Sequence, residues 1–94
     1  DLFTIGRTGV AFDLNMDNSG NVGIGIAAPD GTLHVHTATA GTVAASTTAN
    51  ELVLENSAEC GMSILSPNNS LGAIYFGDDG SNAAGWPDDQ SGGE

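Results

Sequence analysis

The stretch NVGIGIAAPDGTLHVH, residues 21–36, admits two readings, and the choice between them decides the fold. Gly23, Gly25 and Ala28 fit G-x-G-x-x-[GA], the loop that cradles the pyrophosphate of a dinucleotide. That loop works only when a helix starts at its second glycine, so that free N–H groups and the helix dipole face the phosphates. Here Pro29 and Asp30-Gly31 follow soon after Gly25, and then a β-like run begins. No helix can be sustained across them. The acidic residue that should follow about 20 residues on would be Glu51, which falls inside the run NELVLE rather than at a strand end. The second reading is a glycine-punctuated strand, a β-turn over APDG (28–31) with Pro29 at its second position, and another strand. Its glycines let backbones approach closely or twist the strand sharply. Val22, Ile24 and Ile26 share one strand face. Leu33 and Val35 share another, with His34 and His36 pointing the opposite way.

Working outward, the same alternation recurs. In GVAFDLNM (9–16) Val10, Phe12, Leu14 and Met16 alternate with small or polar residues, and LFTIG (2–6) precedes it. DNSGN (17–21) is a turn in which Asp17 and Asn18 bond their own backbone and Gly20 accepts positive φ. Residues 37–50, TATAGTVAASTTAN, are small, polar and low in complexity, which suits an extended connection with at most one short strand near Val43. ELVLEN (51–56), CGMSILS (60–66) and LGAIYFG (71–77) read as a meander, with SAE and PNNS as hairpin linkers. Leu52/Leu54, Met62/Ile64 and Ile74/Phe76 each fill one face of it. The chain therefore divides into a strand segment with the NVGIG motif (1–36), a connection (37–50), a meander (51–77) and an acidic Gly-rich loop or truncated end (78–94). The ending in Ser91-Gly92-Gly93-Glu94 closes no element and suggests a fragment of a longer chain.

Composition narrows the function. Leu, Ile, Val and Phe together number 20 of 94 residues, too few for a comfortable core in so short a chain. Either part of it is disordered, or it borrows core from other copies. The net charge is −11, with Arg7 the single basic residue besides two histidines. Nucleic-acid binding, which needs cations to displace counterions, is excluded, and an anionic membrane surface is disfavoured. No stretch is long and apolar enough for insertion into a membrane as a helix. Cys60 is the only cysteine; it cannot form an internal disulfide and reads as a small half-buried side chain.

Few residues invite chemistry. His34 and His36 form H-x-H, two ligands per chain. Around a threefold axis they would make six, enough for an octahedral metal site. The competing expectation is that Leu33 and Val35 take the interior and both histidines face solvent. DNSGN and DDGSN lack the Glu that completes a calcium loop and read as turns. Asp78/Asp79 and Asp88/Asp89 are neighbours in sequence, so within a strand each pair would face opposite ways rather than flank a glycosidic bond. Tyr75 and Trp86 are the aromatics able to stack on a sugar or contact a receptor. There is no supported catalytic triad, Cys/His pair or phosphate loop, so neither an enzyme nor a cofactor is expected.

MDNSGNVGIGIAAPDGTLHV (16–35) resembles the SSGNVGIGTTSPxxxLHV segment of bacteriophage tail-fibre and appendage proteins, which lies upstream of endosialidase-type intramolecular chaperone domains. NELVLENSAECGMSILSPNNSLGAIYFGDDGSNAAG (50–85) is similar to the ELVLEN…GLSIL…G.IYFGD stretch that follows it there. The two matches cover about 56 residues. Ile26 stands where that pattern has Thr, and Ala27-Ala28 where it has Ser or Thr. After Gly85 the likeness ends, and the chaperone's catalytic region is absent. Some such fibres hold metal through H-x-H rings.

The resemblance implies an all-β, elongated, intertwined homotrimer of short strands and meanders. Its apolar strand faces close against the other two copies: Val10, Phe12, Leu14, Val22, Ile24, Leu33, Val35, Leu52, Leu54, Ile64, Ile74 and Phe76. It implies a structural part of a virion fibre that spaces or presents a receptor-binding tip. The partners would be itself, other tail proteins and a host surface glycan or protein. The alternative is a receptor-binding module using the loops around Tyr75 and Trp86.

Overall fold

The computed structural model describes residues 3–8 and 13–80. Val10, Phe12, Trp86, Asp88 and Asp89 lie outside them. The described residues are all-β, with no helix and one sheet of five short strands: β1 (Phe3–Ile5), β2 (Leu14–Met16), β3 (Val22–Ile24), β4 (Leu33–His36) and β5 (Leu52–Glu55). Spatial order follows chain order. β1, β2 and β3 pair antiparallel, whereas β3, β4 and β5 pair parallel.

The antiparallel half follows from its turns. Between β2 and β3, the Asp17 carboxylate accepts the N–H groups of Ser19 and Asn21, and Gly20 sits at φ 87°. This is the side-chain-bonded turn that DNSGN announces. Between β1 and β2, Asp13 accepts the Arg7 backbone N–H together with the Nε–H and one Nη–H of its guanidinium.

The parallel half is what the sequence reading missed. APDG does not fold β3 back on β4. Residues 25–32 carry the chain back alongside β3 instead, and Val22 pairs with Leu33 and Ile24 with Val35. Parallel pairs ordinarily need a long crossover. Strands of three or four residues span only about 10 Å, so a short irregular return suffices. The second crossover, residues 37–51, returns the chain to β5, which pairs Leu33 with Leu52 and Val35 with Leu54. No strand forms near Val43.

The expected meander reduces to β5. Residues 60–66 and 71–77 carry no strand, and of the two hairpin linkers only PNNS forms a turn, with the Ser70 N–H donating to the Pro67 carbonyl. Alternation supplied two apolar faces there, but neither run has a ladder partner among the described residues. The chain divides into two compact units, Asp1–Gly61 and Met62–Glu94. In the second unit Met62, Ile64, Leu65, Leu71, Ile74, Tyr75 and Phe76 are all exposed.

Candidate functional site

The register sorts the sheet's side chains into two faces, because successive residues of a strand point opposite ways. One face carries Phe3, Met16, Val22, Leu33 and Leu52 in one row, and Ile5, Leu14, Ile24, Val35 and Leu54 in the next. All ten are apolar, yet none is buried; Phe3, Ile5, Ile24 and Leu52 are 43–52 % exposed. No apolar side chain among the described residues is buried. A charge-free face of this size on a chain of net charge −11 has the composition of an interface.

The other face carries Thr4, Asn15, Gly23, His34 and Val53, with His36 beside Glu55. Here the two crossovers fold over the sheet. The Ile26 carbonyl lies where a Cβ on Gly23 would be, and the His36 carbonyl lies where one on Gly25 would be. Gly25 also sits at φ 83°, and its N–H donates to the Asp13 carbonyl. The two glycines of the opening motif thus admit the chain's own backbone rather than a phosphate.

Beneath this cover His34 is fully buried, at 0 % exposure. That overturns the expectation of solvent-facing histidines: the crossovers cover the histidine face, and Leu33 and Val35 are left half-buried on the open one. Gly23, paired beside His34, has no side chain to fill the space next to the ring. The hydrogen bonds assign the tautomers. His34 Nδ1 accepts the Asp30 N–H at 3.0 Å, so the ring proton sits on Nε2 and is donated to Glu55 Oε1 at 2.8 Å. Glu55 Oε2 accepts the Ala40 N–H at 2.8 Å. The Ala40 N–H holds the Glu55 carboxyl below its usual range; burial opposes this and the His34 bond adds to it. His36 has the opposite tautomer. Its Nδ1–H donates to the Gly25 carbonyl at 3.0 Å, and Nε2 accepts the Thr39 hydroxyl at 3.2 Å. The rings meet edge to face, 5.6 Å apart. Asn15, 1 % exposed, is the other buried polar residue, and its amide has no partner among the described residues.

Asp30, His34 and Glu55 bring one potential ligand atom each within 4.8 Å of one another. Both His34 nitrogens are already committed, however. A metal at Nε2 would need either an imidazolate or loss of the Asp30 N–H bond, and the ring is shut away from the surface of its own chain. The donor set is closed by hydrogen bonds within the chain.

The remaining candidates are dispersed. An open cleft of about 190 Å³ lies between Val43–Ala45 and β5, bordered by Asp30 and Glu55. Small-molecule sites usually enclose about 300–1,000 Å³, so it is small for a dinucleotide. Arg7, 75 % exposed, is bonded to Asp13, and that hydrogen bond holds the Asp13 carboxyl below its usual range. The one basic side chain outside the histidines is thus engaged within the chain. Asp78 bonds the Gly80 N–H as an ordinary turn residue. Tyr75 is 61 % exposed. Cys60 is exposed and free, not half-buried. Sequence reasoning named His34 but missed its partners Asp30 and Glu55; only the parallel register places Glu55 opposite the H-x-H pair.

No known protein family matches the chain, and no curated protein or solved structure matches it. Among the described residues no helix is long and apolar enough to cross a membrane.

Proposed function

We propose that this chain is a structural module of a phage tail fibre or related virion appendage, assembled as a homotrimer through the apolar face of its sheet. The observation that carries the reading is the ten-residue apolar face of β1–β5, uncovered in a chain with no buried apolar side chain among its described residues. Each copy has no buried apolar core among its described residues, and association supplies one. The likeness of residues 16–35 and 50–85 to tail-fibre segments names the setting. The apolar runs at 60–66 and 71–77 are further surface for the same association. The role is mechanical: a stiff β-module sets the distance of a binding tip, and threefold symmetry multiplies its contacts. It involves no catalysis and no cofactor, and it places the chain outside the cell on the virion. Small-angle scattering tests this directly. An elongated particle of three chains is expected; a compact single chain overturns the reading.

A second reading, a glycan- or receptor-binding module of the same fibre, draws support from the exposure of Tyr75. Binding on a glycan array that is lost in Tyr75→Ala or Trp86→Ala would favour it. An intact chain that binds nothing leaves the spacer role.

A further inference from the structure

The histidine face holds a device that the proposed assembly does not use. His34 fastens the first crossover to β5, and its two nitrogens have unequal freedom to change. Nε2–H already donates to a carboxylate, and that bond strengthens if the ring becomes cationic. Nδ1 accepts from a backbone N–H, which can only donate. A proton added at Nδ1 would set two donors against each other at 3.0 Å, in a site closed to water. His36 differs at this point. Its free lone pair, on Nε2, faces the Thr39 hydroxyl, which rotates and accepts instead.

We propose that His34 is a proton-operated latch: when its ring gains a proton, the Asp30 N–H is expelled and the backbone of the first crossover is released at that point, while the bond to Glu55 holds. The groups facing His34 fit this. Glu55 on β5 stabilises the cation. Asp30 in the first crossover has a carboxylate oxygen within 4.8 Å of the ring, able to replace its own N–H as the Nδ1 partner. His36 on β4 stands 5.6 Å away and repels when charged. The second crossover offers only the Ala40 N–H and the Thr39 hydroxyl. The proton therefore exchanges a backbone hold on the crossover for a side-chain one, which frees the Asp30 N–H while the sheet stays intact.

The test is solution NMR of the intact chain through an acid titration. Imidazole nitrogen shifts follow each ring, and hydrogen exchange follows the amides of Asp30, Ala40 and Val35. Neutral His34 should be the Nε2–H tautomer and His36 the Nδ1–H tautomer. Asp30 exchange should rise at least about tenfold with the same midpoint as His34 protonation, while Ala40 and Val35 stay protected. His36 protonation should leave all three unchanged. In Glu55→Gln, Ala40 should lose protection throughout, while Asp30 still follows His34. Three results would overturn the latch: a protonated His34 with Asp30 still protected, a neutral His34 protonated on Nδ1, or His34 gaining its proton only as Val35 is also exposed.

Discussion

On one face of the sheet, a histidine and an asparagine are shut away from water beneath two crossovers; on the other, ten apolar side chains stand partly in it. The ordinary rule of burial runs the other way. The covered face closes on itself around its histidines: their ring nitrogens and the Glu55 carboxylate are met by Asp30, Ala40, Gly25 and Thr39, while the Asn15 amide has no partner among the described residues. The open face has no such closure, because nothing it presents forms hydrogen bonds and burial is its only route to stability. One face explains how the strands are aligned, and the other is the surface through which the proposed association would run.

The largest effect that could break this comparison comes from a charge on the open face. In the proposed trimer, Ile24→Asp would bury three like charges, at a cost on the order of 3–5 kcal/mol for each unpaired charge. Light scattering should show single chains. Unchanged association would mean that this face is not the contact.

Next comes the backbone packing of the covered face. Gly25→Ala places a methyl against the His36 carbonyl at positive φ and should lower stability by roughly 2–4 kcal/mol in urea melts. Gly20→Ala has positive φ but open space around it, and should cost only about 1–2 kcal/mol. Equal losses would show that the close approach does not matter.

Asn15→Leu sharpens the contrast in the opposite direction. It exchanges an unpartnered buried amide for an apolar side chain of similar size, and should stabilise the fold by about 1–3 kcal/mol. A loss of stability would reveal that the amide has a partner.

Acid should weaken the second crossover before the sheet. The folded Glu55 carboxyl titrates below its unfolded value, so its contribution is present above the ordinary carboxylate range and is lost as pH falls through the depressed folded value. Ala40 amide exchange should quicken in that window, and Glu55→Gln should remove the dependence. The smallest effect belongs to Arg7→Ala. This exposed pair is screened by salt, so the change in a urea melt should be slight and should vanish at high ionic strength.

Alternation made part of this legible. Leu14/Met16, Val22/Ile24, Leu33/Val35 and Leu52/Leu54 could each be assigned to a common face, and they occupy one in the structure. Pro29 excluded a dinucleotide loop, and Asp17 marked its turn. Alternation separates two faces, but it carries neither the direction of pairing nor which face gets covered. Hence the parallel β3–β4–β5 set, and with it Glu55 beside His34, stayed out of reach. The cover comes from residues 25–32 and 37–51, simple segments whose path is fixed by bonds to Asp30 and Ala40 rather than by any pattern of their own. The runs at 60–66 and 71–77 show the converse: clear periodicity without a partner strand among the described residues.

The central claim is that the open apolar face is closed by copies of the same chain. Light scattering coupled to size exclusion, with and without a chelator, tests it most directly. The account predicts a mass of three chains that chelation leaves unchanged, because both His34 nitrogens are held inside each copy. A folded single chain would contradict the shared core, and a trimer that chelator dissolves would contradict the closed histidine site.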